Sequence, residues 1–204
     1  DGEGNLWIGY SGGIQIFDGR TYRSIRDQQL LKETRIKDLQ RWNSDMWVAT
    51  GHAGIHRYRG GTWTWYQPLT RNGPPFYEVR SMALDVSSQI LVIVTEVEGV
   101  WSMQITGDRP VFREIASRAG TWGLFGQARR DPLGGVYLSN ATMVVHYDPV
   151  DGIVPVLTSR ELSPEGVPIN DLAAAPDGRL FMATDNGMYI WRNGGVTDHL
   201  GRYE

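Results

Sequence analysis

One feature limits what this chain can fold into more than any other: a single residue template returns five times along it. The copies are Asn5-Leu6-Trp7-Ile8-Gly9, Asp45-Met46-Trp47-Val48-Ala49-Thr50, Ile90-Leu91-Val92-Ile93-Val94-Thr95, Gly135-Val136-Tyr137-Leu138-Ser139 and Arg179-Leu180-Phe181-Met182-Ala183-Thr184. With the residue at the Trp7 position as anchor, the anchors are Trp7, Trp47, Val92, Tyr137 and Phe181, separated by 40, 45, 45 and 44 residues. A period of ~40–45 residues built from short strands is the signature of a propeller blade.

The rest of each unit repeats in register. A small turn and a second apolar run follow every anchor, as in Gly13-Ile14-Gln15-Ile16-Phe17, Gly54-Ile55-His56-Arg57-Tyr58 and Gly187-Met188-Tyr189-Ile190-Trp191. A polar turn such as Asp18-Gly19-Arg20 or Arg59-Gly60-Gly61 then leads into an outer strand. Ahead of the anchor lies an inner strand, seen in Ile36-Lys37-Asp38-Leu39, Val79-Arg80-Ser81-Met82 and Ile169-Asn170-Asp171-Leu172. The anchor strands are apolar on consecutive residues, so both faces should be buried, one against each neighbouring blade. A non-repetitive β-sandwich is the competing reading, but register holds across anchor, turn and third strand together.

The predicted fold is therefore all-β: a propeller of about five four-stranded antiparallel blades in one region, 1–204. Its units run approximately 1–34, 35–77, 78–121, 122–167 and 168–204. The 25 glycines and 22 aromatic residues suit many short strands joined by tight turns. The first unit lacks an inner strand, so a piece of a longer propeller array is expected, with open faces that invite a neighbouring propeller or a second copy of the chain. Closure of five blades with one incomplete is the alternative. The best helical stretch is Asp27 to Thr34, one or two turns in a loop.

Composition narrows the function. A formal net charge of −3 offers no basic excess to draw nucleic acid or an anionic membrane. Without cysteine there is no disulfide, thiolate metal site or cysteine nucleophile. The longest apolar run, Ile90 to Val94, is far short of the roughly 20 residues that span a bilayer, and Asp1-Gly2-Glu3-Gly4 is no signal peptide.

Gly4-Asn5-Leu6-Trp7-Ile8-Gly9 with Gly13-Ile14 and Phe17-Asp18-Gly19 resembles the two-component-regulator propeller repeat. The pattern recurs at Asp45 to Thr50 with Gly54-Ile55, and at Pro176-Asp177-Gly178 through Thr184 with Gly187. The two central units are degenerate: Val92 and Tyr137 replace the aromatic anchor, and Asn140-Ala141-Thr142 replaces the glycine turn. The resemblance implies the periplasmic or extracellular, non-catalytic sensor region of a bacterial signalling protein, its output domain elsewhere. It matches repeats and not a site.

Candidate ligand-binding residues follow from the architecture. Loops leading into inner strands and loops joining anchor to third strands share one face around the channel, where variation is tolerated. The first set offers Arg35, Tyr77, Arg80, Trp122 and Asn170; the second offers Tyr10, His52, Glu96, Asn140 and Asp185. Aromatic planes with Arg and Asn suit a small molecule or glycan through stacking and directed hydrogen bonds. Asp38 and Asp171 occupy matching inner-strand positions. They are either a hydrolytic carboxylate pair or blade anchors bonding the backbone of the neighbouring strand, and their repetition favours the second. His52, His56, His146 and His199 lack metal-ligand spacing, so no metal site or cofactor is expected. Arg109 to Arg118 and Arg129-Arg130 read as solvated surface. A protein–protein scaffold and a propeller enzyme such as a glycosidase or lyase stand as alternatives to ligand sensing.

Overall fold

The structure is a computed structural model, and it describes residues 1–25, 35–106 and 109–201. It contains five antiparallel sheets arranged as propeller blades. The first has three strands, β1 (Leu6–Tyr10), β2 (Gly13–Phe17) and β3 (Tyr22–Ile25). The second comprises β4 (Ile36–Trp42), β5 (Asp45–Thr50), β6 (Ile55–Arg59) and β7 (Thr62–Tyr66). The third comprises β8 (Val79–Asp85), β9 (Ile90–Thr95), β10 (Gly99–Thr106) and β11 (Arg109–Ser117). The fourth comprises β12 (Gln127–Arg130), β13 (Val136–Ser139), β14 (Met143–Asp148) and β15 (Gly152–Thr158). A one-turn helix, α1 (Ser159–Leu162), precedes the fifth blade of β16 (Ile169–Ala174), β17 (Leu180–Thr184), β18 (Gly187–Arg192) and β19 (Gly195–Leu200). Strands follow one another in space as in sequence, from inner to outer, as the repeat predicts.

The apolar runs on the anchor strands explain how blades stack. Alternate residues of a strand point to opposite faces, and here each face meets a different neighbour. On β5, Met46 and Val48 join Ile14, Ile16 and Ile36 between the first and second blades. Trp47 and Ala49 turn the other way, against Met82, Leu91 and Ile93. On β9, Leu91 and Ile93 face back while Val92 and Val94 face forward to Val136, Leu138 and Val145. Val144, Leu157, Leu172, Met182 and Trp191 fill the last interface. Each such side chain, fully buried, stabilises the fold by about 1.5–3 kcal/mol.

Burial on both faces holds for the three middle anchor strands and fails at the two ends. On β1, Leu6 is 58% and Ile8 36% exposed, because the first blade packs against a neighbour on one side only. On β17, Leu180 and Met182 are buried while Phe181 and Ala183 face the open side. The outer strands β3 and β19 are mostly exposed, matching their polar sequences.

Glycine closes most of the turns between anchor and third strands. Gly99 and Gly187 adopt φ of 107° and 110°, and a Cβ there would sit 2.2 Å from the Ala116 carbonyl oxygen and 2.1 Å from that of Leu200. In the fourth blade the Asn140 side-chain oxygen closes the turn, accepting the N–H groups of Thr142 (2.9 Å) and Met143 (3.0 Å). Sequence reasoning missed α1. The Glu161 carboxylate accepts the Thr158 N–H at 2.6 Å and its hydroxyl at 2.9 Å, and Leu162 is buried. The Asp27 to Thr34 stretch lies outside the described residues. Among the described residues no helix is long and apolar enough to cross a membrane.

Candidate site at the channel mouth

The inner strands begin with a repeated irregularity. Pairing of inner with anchor strand skips one residue in the second, third and fifth blades, and the residues skipped are Lys37, Arg80 and Asn170. Such a bulge leaves its extra residue outside the ladder and re-aims its side chain. All three reach an acidic group just past the end of an anchor strand. Arg80 donates through Nε (3.0 Å) and Nη2 (2.5 Å) to Glu96 Oε2, and Asn170 Nδ2 donates to Asp185 at 2.9 Å. In the second blade the acidic position is Gly51, so Lys37 extends across the interface and binds Glu96 of the third blade at 3.1 Å. The Arg80 guanidinium holds the Glu96 carboxyl below the usual carboxylate range, partial burial opposing it and Lys37 adding to it.

Below the mouth, polar groups link one blade to the next. Asp38 Oδ2 accepts the Met82 N–H (2.7 Å) and the Ser81 hydroxyl (3.1 Å), while its Oδ1 accepts the Leu39 N–H (2.7 Å). Ser81 occupies the matching place in the third blade, and its hydroxyl oxygen accepts the Ala128 N–H at 3.2 Å. Arg129 then bonds Ser81 Oγ at 3.1 Å on one side and Asp171 at 2.8 Å on the other. Asp38, Ser81, Ala128, Arg129 and Asp171 thus form a belt across four blades. The anchoring alternative holds for Asp38, whose lone pairs are taken by backbone and hydroxyl donors. Arg129 is a correction. Read as solvated surface, it is instead a half-buried bridge, because its strand lines the channel opposite Asp171 of the following blade.

A groove of about 310 Å³ opens over this belt, with Lys37, Gln40, Arg80, Gln127, Arg129 and Arg130 among its walls. Its surface is largely polar. A larger hollow of about 630 Å³ lies on the outside, between β7 and the start of β11. There Arg57 and Arg59 are both held by Asp45, at 2.6 Å each, and the hollow is a gap between outer strands away from the channel.

The sequence-derived candidates fall into distinct places. Arg80 and Glu96 are brought together, as are Asn170 and Asp185. His52 Nδ1 lies 2.8 Å from Glu78 on the exposed rim, and Tyr77 is half-exposed beside it in sequence. Arg35 is exposed, and its carbonyl accepts the Gly51 N–H. The Tyr10 hydroxyl is buried against Gly13 with no hydrogen-bond partner among the described residues. Trp122 packs against the core between the third and fourth blades, and the Asn140 oxygen is committed to its turn. Lys37, Gln127 and Arg129 were missed as site residues. Aligning the units column by column would have found Lys37, since it shares the position of Arg80 and Asn170. Among the described residues no group of three or more His, Asp or Glu side chains could hold a metal ion.

No family model matches the chain, and no curated protein matches it. Solved structures do. A structure titled YCF48 bound to D1 peptide matches with a TM-score of 0.71 and 15% identity, over 98% of this chain and 66% of that one. The extracellular domain of a hybrid two-component system from B. thetaiotaomicron matches with a TM-score of 0.70 and 15% identity, over 97% of this chain and 28% of that one. A catalytically inactive virginiamycin B lyase from Staphylococcus aureus, with quinupristin, matches with a TM-score of 0.74 and 12% identity, over 100% and 69%. At these identities the likeness is one of fold, and the chain spans about two-thirds or less of the first two.

Proposed function

We propose that this chain is the ligand-sensing propeller region of an extracytoplasmic bacterial signalling protein, itself non-catalytic, reading a small polar ligand at the channel mouth. The observation that carries this reading is the belt joined to the groove above it. Lys37, Arg80 and Arg129 line the groove; Lys37 and Arg129 bond across blade interfaces, and Arg80 holds Glu96, the carboxylate that Lys37 crosses to reach. A ligand that drew on their donors would alter how neighbouring blades are held, which is the differential contact a sensor needs to shift between arrangements. The carboxylates that would suit hydrolysis support the non-catalytic side, because Asp38 and Asp171 are committed to backbone and guanidinium donors. The likeness to extracellular two-component domains agrees with this reading and with a periplasmic or extracellular location.

The test is thermal denaturation of the chain with neutral sugars, sugar acids, amino acids, short peptides and divalent ions. Binding to the folded state adds about 2.7 kcal/mol at a ligand concentration 100 times Kd, and each kcal/mol raises Tm by roughly 2–4 °C for a domain of this size. A concentration-dependent rise with one organic class, without conversion of that compound, is expected. Turnover of the compound would overturn the non-catalytic reading. A flat response across the panel would overturn ligand sensing in favour of a scaffold.

A further inference from the structure

The sensing reading leaves the ligand's chemistry open, and the groove narrows it. Four of the charged residues lining it are cationic: Lys37, Arg80, Arg129 and Arg130. The one acidic residue among the lining, Asp38, has both oxygens engaged. Arg129 is held by Asp171, but Arg80 is only partly satisfied. Its Nε and Nη2 face Glu96, while Nη1 has no partner among the described residues.

Space lies beside that free nitrogen. The repeat position of Lys37, Arg80 and Asn170 is Gly126 in the fourth blade, and a Cβ there would lie 3.7 Å from Arg80 Nη1. Where the other blades carry a polar side chain, the groove wall is bare backbone. Next to it the Gln127 amide also lacks a partner among the described residues. Lys37 has three N–H donors, and Glu96 takes one. Nη1, the ammonium and the amide thus leave donors uncommitted around one gap. A guanidinium end presents two parallel N–H groups matched to the oxygens of a carboxylate. Glu96 already occupies one edge of Arg80, which shows what chemistry this cluster retains.

Resting on the sensing reading, we propose that the groove takes a small ligand bearing a carboxylate, bound by Arg80 and Lys37, with Glu96 the resident carboxylate it competes against. Two sources share this chemistry, a sugar acid and the C-terminus of a short peptide, and matched probes separate them. Calorimetry on the full chain would use D-galacturonate against D-galactose, and N-acetyl-trialanine against its C-terminal amide. The acid of at least one pair is expected to bind about tenfold or more tightly than its neutral partner. Binding should weaken about tenfold in Arg80→Gln and in Lys37→Gln, and strengthen severalfold in Glu96→Gln. It should stay unchanged in Arg23→Gln, on the exposed outer strand β3.

Lys37→Gln serves as the second variant if Arg80→Gln does not fold. Equal binding of acid and neutral probes, or acid binding indifferent to both variants, overturns the inference. So does a thermal panel in which only neutral compounds stabilise the chain, and in that case ligand sensing survives. A panel in which nothing binds overturns both.

Discussion

At the scale of single residues, the clearest consequence belongs to His56. It is 1% exposed on β6, its ring lies parallel to Trp65 at 6.0 Å, and its Nε2 has no hydrogen-bond partner among the described residues. Burial pushes its pKa down to about 4 from an ordinary 6.5. The folded chain therefore binds fewer protons here than the unfolded chain between those values, and stability falls as pH falls through that window. The contribution is complete above pH 6.5 and is lost towards pH 4, a change of about 3 kcal/mol at most. Denaturant melts of His56→Phe should show a flatter profile between pH 6.5 and 4.5 than the parent. Identical slopes would place the dependence elsewhere. The apolar side of this environment was legible, since Ile55 and Tyr58 flank His56 in the repeat. The roles of Lys37 and Arg129 were not, because charge type alone does not say whether a carboxylate waits in the next blade.

At the scale of elements, one turn is built by two chemistries. Gly99 closes it in the third blade with a backbone that L side chains rarely adopt, and the Asn140 oxygen closes it in the fourth. Gly99→Ala is expected to cost about 2–3 kcal/mol, since both φ and the Ala116 oxygen oppose a Cβ, while Asn140→Ala should cost about 1 kcal/mol. Urea unfolding measures both. Similar small losses would show that the strands themselves, and not the turn, set the conformation. The fourth unit reads as degenerate in sequence for this reason: the turn is kept and only its residues change. A single turn such as α1 is invisible to periodicity, which needs several turns to register, although Thr158 and Glu161 carry its cap.

At the scale of the whole molecule, strand order and blade stacking were legible because an anchor strand buried on both faces needs a neighbour on each side. The belt was not, since it depends on the offset between adjacent blades, which no single unit contains. The same logic governs the open faces. Among the described residues β1 has no strand paired on its inner edge and leaves Leu6 and Ile8 exposed, and β17 presents Phe181 and Ala183. The 204-residue chain is expected to associate with itself as concentration rises. Sedimentation velocity from micromolar upward would check it, and a species that stays monomeric throughout would show that these faces do not attract each other.

The bond from Asp38 to the Met82 N–H runs from one blade's side chain to the next blade's backbone and is not returned. A contact of this head-to-tail kind has no internal stopping rule. Any blade carrying an acceptor at that position can receive a successor that offers the N–H. The same kind of link recurs from Ser81 to the Ala128 N–H and gives way to the Arg129–Asp171 ion pair at the fifth blade, so an added blade would extend the belt only if it carried both an acceptor and a free N–H. The spacing of one blade on the next is then set by how side chains such as Trp47 and Leu91 pack between them, with the polar bonds following.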